Sequence, residues 1–323
     1  MILQIESSVF DDRYSGALKF FSNLGINNYA YFDFKLNDLK GCSELSEDTI
    51  QEWELLDDVY TRDSASFEMT NRVVVVAKQQ ECDLDKTPPV VDIESAKRLL
   101  TTPFEIWLEN ARNDKNFLMC ALGRNIRGRL DEQNEQGRLR FDGKGGVGEL
   151  KKNLMVNNDR LKERAKIFVI IDSDSDSPYT PGRDNQEVIS LCREKGIYNH
   201  CLERRMIENY IPHEYEIAKR ERYDADSPIV QKWKIYRSFT LDQRFCFHLK
   251  KGFKYQSYHP DLYSGVSRED KDTLENGFGQ NIADFFSDLE QREVIHQEMK
   301  AHDETSELEN IADKIQKVTR LPK

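Results

Sequence analysis

Two short apolar segments of this chain end at carboxylates. One reads Lys166-Ile-Phe-Val-Ile-Ile-Asp-Ser-Asp174, and the other, residues 104–109, reads Phe-Glu-Ile-Trp-Leu-Glu. Runs of this length and composition predict buried β-strands. Ligands of open α/β sheets bind outside the carboxyl ends of the strands, so Glu109, Asp172 and Asp174 are expected to share one site. Three carboxylates make an all-oxygen site that suits Mg²⁺ or Mn²⁺.

The chain from residue 104 onward alternates between strand and helix patterns. Strands are predicted at 104–109, 138–141, 167–171 and 199–203, and helices at 115–126, 149–156 and 185–195. This alternation predicts an α/β fold, a Rossmann-like and mostly parallel sheet flanked by helices.

The two flanking regions have different patterns. The first hundred residues indicate a mixed α/β region with strands at 29–34 and 72–78, a break at 87–89 and a helix at 93–100. The last third is predicted to be mainly helical, at 214–223, 228–249 and 281–318. We therefore expect domains at 1–100, 101–215 and 216–323, of which the first contains no chemical motif.

Composition excludes several classes of protein. The six cysteines form no C-x-x-C pair and the six histidines no H-x-x-x-H pair, which argues against a zinc site, a redox motif or a disulfide framework. No apolar run approaches the roughly 20 residues of a membrane span, and the N-terminus does not read as a signal peptide. A cytoplasmic protein without a membrane partner is expected.

The net charge of −11 counts against non-specific binding of nucleic acid, because polyanions repel one another. The charge is uneven, however. Basic residues cluster after the carboxylates, at Arg204, Arg205, Lys219, Arg220 and Arg222, and then at Lys250, Lys251 and Lys254. Such local clusters of basic residues can still bind a phosphate backbone. The long-range electrostatic attraction would be weaker than that of a protein with a net positive charge.

The acidic run after the second strand alternates aspartate with serine. In an extended segment alternate side chains point the same way, so Asp172 and Asp174 are expected to face one ion. Asp176 is expected to be an outer ligand or a loop residue. The alternative is an acidic loop that caps the next turn.

Two further segments are candidates for the site. The glycine-rich run 143–148 lacks the Gly-Lys-Ser/Thr element of a Walker loop, and we interpret it as a tight turn near a ligand, with Lys144 as a candidate phosphate contact. A plain turn is the alternative. The segment Glu203–Pro212 contains two arginines, a glutamate, an amide and a tyrosine. Its alternative is an intrahelical ion pair between Arg204 and Glu208.

These motifs together resemble the TOPRIM domain, the metal-binding fold of topoisomerases, bacterial primases and overcoming-lysogenization-defect nucleases. The resemblance is carried by the order Glu109, Gly145-Gly146 and Asp172-x-Asp174. The tail Arg204-Arg205-x-Ile-Glu208-Asn-Tyr-x-Pro212 is similar to the stand-alone or ATPase-partnered TOPRIM proteins of bacterial anti-phage systems. The likeness covers about residues 101–215 and is weaker in Lys250-Lys251-Gly-Phe and Gly277-Phe-Gly.

The resemblance implies a metal-dependent nuclease and assigns roles to residues. Glu109, Asp172 and Asp174 would hold the first Mg²⁺, and Glu208, with Asp114 or Asp176, the second. A catalytic lysine would be Lys250 or Lys251, and Arg204 and Arg205 would hold flanking phosphates or brace the carboxylates. The chain departs from the family where a glycine is usual, at Asn110, and where an acid is usual, at Asn113, with Asp114 one step late.

The implied activity is hydrolysis of DNA or RNA, tRNA included, by the toxic effector of an anti-phage system. A topoisomerase would need a nucleophilic tyrosine in a separate large domain, for which we expect no room in this chain. A primase would need nucleotide-binding and zinc modules, for which we find no pattern. A second hypothesis is a non-catalytic effector or scaffold subunit, regulated by an ATPase partner that docks on the acidic C-terminus. Oligomerisation stays open.

A third hypothesis is another D-x-D enzyme. A haloacid-dehalogenase phosphatase would need threonine or valine where this chain has Asp176. A nucleotide-sugar transferase would not explain Glu109 or the segment from Arg204 to Pro212.

Overall fold

The computed structural model describes residues 1–64, 71–157, 159–222, 224–255 and 261–319. Two four-stranded sheets, each flanked by helices, organise this part of the chain, and every strand pair in both sheets is parallel. The expected α/β class and parallel pairing are therefore confirmed.

The first sheet is built from residues 2–92. Its strands and helices, in chain order, are β1 (Ile2–Ile5), α1 (Ser15–Ile26), β2 (Tyr31–Asp33), α2 (Glu47–Asp63), β3 (Arg72–Val76), β4 (Val90–Asp92) and α3 (Ile93–Thr101). The strand order is β2-β1-β3-β4. The sequence patterns had indicated β2, β3 and α3 but missed β1, β4 and α1.

The second sheet is built from residues 104–201. Its elements are β5 (Phe104–Leu108), α4 (Asn113–Ala121), α5 (Arg124–Glu135), β6 (Leu139–Gly143), α6 (Val147–Val156), α7 (Arg160–Lys166), β7 (Ile167–Ile171), α8 (Arg183–Lys195) and β8 (Tyr198–Cys201). The strand order, β6-β5-β7-β8, repeats that of the first sheet.

This strand order determines where a ligand site can form. From β5 the chain goes first to β6 on one side and then to β7 on the other. The two central strands therefore have connections that leave in opposite directions, which opens a crevice at their carboxyl ends. Glu109 directly follows β5 and Asp172 directly follows β7.

The C-terminal part is helical in the residues that the structure describes. It comprises α9 (His213–Glu221), α10 (Pro228–Ser238), α11 (Leu241–Cys246), α12 (Arg268–Thr273), α13 (Arg292–Ala301) and α14 (Glu307–Val318).

Short 3₁₀ turns occur in all three parts of the described chain, at Ser7–Val9, Asp12–Tyr14, Leu36–Gly41, Gln79–Glu81, Ile207–Tyr210, Gly252–Lys254 and Gln280–Ser287. None of the helices of the described residues is both long and apolar enough to cross a membrane.

The two faces of the second sheet pack against different elements. Ile106, Phe168 and Ile170 belong to a core shared with α4 and the C-terminal helices. Trp107 and Val169, which alternate with them, belong to a smaller core shared with α6 and α8. The period-two pattern of the strands thus buries the sheet on both sides, as parallel sheets require.

Three predicted helices are divided in the structure. The predicted helix 115–126 is split into α4 and α5 by Gly123, whose backbone is extended. The predicted helix 228–249 ends at Ser238, because Thr240 begins a new helix: its hydroxyl accepts the N–H of Gln243, and the Gln243 side chain accepts the N–H of Thr240. The region 281–318 contains a 3₁₀ turn followed by α13 and α14.

Candidate metal and catalytic site

The site begins with a contact between the two central strand ends. The backbone N–H of Asp172 donates a hydrogen bond to Oε1 of Glu109 at 3.0 Å. On its other side, Asp172 Oδ1 accepts the backbone N–H of Ile207 at 3.1 Å. Asn185, at the start of α8 and buried, donates to the carbonyl of Asp172 at 2.7 Å. Asp172 is thus held in position by bonds from three parts of the chain.

The glycine-rich run 143–148 turns around the backbone of Glu109. The amides of Gly145 and Gly146 both donate to the Glu109 carbonyl at 2.9 Å. Both glycines have positive φ, of 88° and 103°, which other residues rarely adopt. These two amides therefore support the carboxylate residue. Lys144 contacts Asp142 at 2.6 Å and the Trp107 ring at 3.9 Å, so its charge is already paired.

Asp114 enters the site from the first turn of α4. Its Oδ2 accepts the backbone N–H of Asn110 at 2.7 Å. Asn110 in turn accepts the N–H groups of Arg112 and Asn113, at 3.0 and 2.9 Å, and so caps this helix. Asn110 thus has a local structural role, and Asp114 lies close enough to the other acids to affect their pKa values.

Glu208 lies on the 3₁₀ turn Ile207–Tyr210 and has no exposed surface. Lys250 Nζ lies 2.8 Å from its Oε1. Neither carboxylate oxygen of Glu208 has a well-aligned hydrogen bond among the described residues, so the contact with Lys250 is an ion pair of non-ideal geometry. Oε2 is buried and has no hydrogen-bond partner among the described residues, which makes it a candidate cation ligand.

The electrostatics show that these acids lie close enough to repel one another. Burial, followed by the charges of Asp174 and Asp114, raises the pKa of Glu109 from 4.5 to about 7. Burial and then Glu208 raise the pKa of Asp114 from 3.8 to about 6, against the opposing effect of its bond from Asn110. Burial first, and then Glu109, Asp114 and Glu208, raise the pKa of Asp172 far above its usual range. Such coupled shifts are typical of functional sites.

The structure distinguishes between the two candidate lysines. Burial lowers the pKa of Lys250, but Glu208, Asp172 and Asp114 outweigh it, so the pKa is raised and the side chain is a cation. Lys251 is exposed, and its ammonium lies 5.2 Å from the centre of the Tyr255 ring. Lys250 therefore faces the carboxylates and Lys251 does not.

The two later aspartates of the run differ from the extended arrangement that the sequence predicted. Asp174 has φ of 45°, in the left-handed region, and its N–H donates to the carbonyl of Arg205 at 2.8 Å. Burial raises the pKa of Asp174, while Arg205 and Lys250 oppose this. Asp176 Oδ1 lies 2.7 Å from Arg205 Nη1. The strand ends at Ile171, and an irregular segment rather than an extended one orients these acids.

The two arginines of the 203–212 segment are 9% and 1% exposed. Arg204 donates to the carbonyls of Asn209 and His302 and to Glu304. Arg205 donates to the carbonyls of Ser175 and Cys246, besides its contact with Asp176. These hydrogen bonds indicate that both arginines brace the surrounding chain. Because both are buried, the structure does not support a role for them in binding substrate phosphates. The alternative of a helical ion pair between Arg204 and Glu208 is wrong, since neither pairs with the other.

Sequence reasoning missed Asn185 and Glu307. Glu307 is 1% exposed and accepts hydrogen bonds from His200 Nε2 at 2.9 Å, from the backbone of Glu203 at 2.7 Å and from Tyr210. It lies about a hundred residues from these partners, so no local pattern could have identified it.

The donor chemistry of the cluster fits a hard divalent cation. Its acidic side chains offer oxygen only, and the buried Oε2 of Glu208 has no hydrogen-bond partner among the described residues. Within the described ranges, no three Asp, Glu, His or Cys side chains already converge as ligands of one ion. Side-chain rotation would therefore be needed to direct these carboxylate oxygens to a common point.

Comparison with known proteins finds no family model, no curated protein and no solved structure that matches this chain. The resemblance to TOPRIM proteins therefore rests on the motif residues of the sequence.

Proposed function

We propose that this protein is a Mg²⁺- or Mn²⁺-dependent phosphodiesterase of the TOPRIM type that cleaves nucleic acid. The observation that carries the proposal is the meeting of four acids at the switch point of the second sheet. Glu109 and Asp172 follow the two central strands, and Lys250 provides the adjacent cation. After burial, Asp114 contributes to the raised pKa of both acids, and Glu208 to that of Asp172.

The residues that would hold the ions follow from this arrangement. Glu109, Asp172 and Asp174 would hold the first ion, and Glu208 with Asp114 the second, while Asp176 is paired with Arg205. A bound ion would lower the pKa of water and stabilise charge on the phosphate. Its charge would also reverse the repulsion that raises the pKa values of these acids.

The remaining residues contribute positioning and charge. Lys250 would stabilise the additional negative charge that develops on the phosphate in the transition state. The N–H groups of Asp172 and Ile207 orient the carboxylates of Glu109 and Asp172 before substrate binds. Arg205 holds the turn that carries Asp174 and Asp176.

The substrate class and the biological role come from the motif resemblance. They are DNA or RNA, tRNA included, and the toxic effector of an anti-phage system with an ATPase partner. A second candidate is a non-catalytic subunit of such a system. It is favoured by the burial of Arg204 and Arg205 and the pairing of Lys144, the three cations that the sequence had assigned to substrate phosphates.

Cleavage assays distinguish the two candidates. Labelled plasmid, single-stranded DNA and total tRNA are incubated with Mg²⁺, Mn²⁺ or EDTA. Metal-dependent cleavage is expected, with a loss of about 100-fold or more in Glu109→Gln and Asp172→Asn. Glu135→Gln, an exposed acid on α5, is the matched control and should cleave like the wild type.

If no substrate is cleaved, the thermal stability in Mg²⁺ separates the remaining cases. A metal-dependent rise in Tm that Asp172→Asn abolishes supports a nuclease that needs its partner. The absence of both cleavage and metal-dependent stabilisation contradicts the proposed enzyme and leaves the non-catalytic subunit.

A further inference from the structure

A cavity of about 90 Å³ lies where the amino ends of the two sheets meet. Tyr29, just before β2, lines it from the first sheet, and Arg138 and Lys166, just before β6 and β7, line it from the second. Thr319, just after α14, completes it from the C-terminal part. The cavity therefore joins three regions of the chain.

The most unusual group in this cavity is Lys166, the last residue of α7. Its side chain is 7% exposed. No described residue forms a hydrogen bond or ion pair with its ammonium group, and burial alone lowers its pKa to about 8. An ammonium in so enclosed a position without a counter-charge is less favourable than one in bulk water.

A second cation lines the same cavity. The guanidinium of Arg138 lies 4.2 Å from the centre of the Tyr29 ring. Its Nε is buried and has no hydrogen-bond partner among the described residues. Two cationic side chains thus contribute unsatisfied N–H donors to one small space.

Nothing described around the cavity neutralises these charges. None of the described residues that line it is an aspartate or glutamate, in a chain whose net charge is −11. The carboxyl ends of α3 and α14 contribute partial negative charge there, roughly half an elementary charge each, which offsets the two cations only in part, and several carbonyls in this region already accept hydrogen bonds. Thr101 Oγ1 donates to the carbonyls of Lys97 and Arg98, Thr319 Oγ1 to Ile315, and Asn71 to Ala165.

We propose that this cavity is a binding site for a phosphate-sized oxyanion, held by Lys166 and Arg138. Its volume would hold several waters, at roughly 10–15 Å³ each, or one phosphate group. An arginine fork and an ammonium are the donors that recognise phosphate. The five residues of β5 separate the cavity from Glu109 by about 17 Å, so this site is distinct from the carboxylates.

The test is calorimetric titration of the full chain with inorganic phosphate, in EDTA and at constant ionic strength. Saturable binding at one site is expected, and Lys166→Met and Arg138→Gln should each weaken it about tenfold or more. Lys86→Met and Arg222→Gln, which remove exposed cations elsewhere, are the matched controls and should bind like the wild type.

Two results would overturn the proposal: no saturable binding in the wild type, or unchanged affinity in both cavity variants. If Lys166→Met does not fold, Arg138→Gln carries the test. A parallel titration with glycerol 3-phosphate shows whether the site binds free phosphate or the phosphate group of a larger molecule. Tighter binding than inorganic phosphate assigns the site to a phosphomonoester, and weaker binding assigns it to free phosphate.

Discussion

The ammonium nitrogen of Lys250 lies 2.8 Å from Oε1 of Glu208, a carboxylate without exposed surface. Lys250 lies in a turn after α11, and Glu208 lies on the 3₁₀ turn that also supplies the Ile207 N–H to Asp172. This one pair therefore connects the C-terminal region to the carboxylates at the strand ends.

Removing the cation of this pair should destabilise the protein. Lys250→Met leaves the Glu208 charge buried and uncompensated, which we expect to lower the free energy of unfolding by about 3 kcal/mol. The double variant Lys250→Met/Glu208→Gln should recover most of this loss, because no buried charge remains. Urea denaturation measures both. If the double variant is no more stable than Lys250→Met, the unpaired charge is not the cause.

The two adjacent lysines should differ in catalysis. Lys250→Met should reduce nucleic-acid cleavage by about 100-fold or more, since it removes a cation positioned for the transition state. Lys251→Met should stay within about twofold of the wild type, because its side chain is exposed and directed at Tyr255. Initial rates at saturating Mg²⁺ make the comparison. Equal losses in both variants would contradict the assignment.

Stability without metal should depend on pH between about 4.5 and 7. The folded-state pKa of Glu109 is raised from 4.5 to about 7, and that of Asp114 from 3.8 to about 6. The folded protein thus binds more protons than the unfolded chain in this range, so its free energy of unfolding falls as pH rises. Denaturation in EDTA across pH 5–8 measures the slope.

Two comparisons test whether the carboxylate cluster causes this pH dependence of stability. Glu109→Gln should flatten it, because the variant has no proton to lose at this position. Mg²⁺ should also flatten it, since a cation favours the ionised carboxylates. A slope that neither change reduces would have its origin in other groups.

Glu307 should be a positioning residue for the site. Its carboxylate accepts bonds from His200, Glu203 and Tyr210, and so anchors α14 against the segment that orients Asp172. Glu307→Gln should lower the free energy of unfolding by about 2 kcal/mol and reduce cleavage at saturating substrate while KM is unchanged. Glu309→Gln, exposed on the same helix, is the control. An unaltered rate in Glu307→Gln would leave it a purely structural role.

The structure confirms those sequence predictions that depend on neighbouring residues. The strands ending at Glu109 and Asp172 were recognisable because each apolar run directly precedes its carboxylate. The parallel pairing followed from the alternation of strand and helix. Helix boundaries were less well predicted, because a single glycine or capping threonine ends a helix without interrupting its apolar period.

The sequence by itself determined the strands of the second sheet, the α/β class and the acids at the strand ends, because these depend on local patterns of apolar and charged side chains. Only the tertiary structure decided that Arg205 is buried, that Lys250 and not Lys251 faces Glu208, and that Lys166 lies in a cavity without a partner. Burial and charge pairing depend on contacts between residues that are distant in the chain, and local sequence patterns do not predict those contacts.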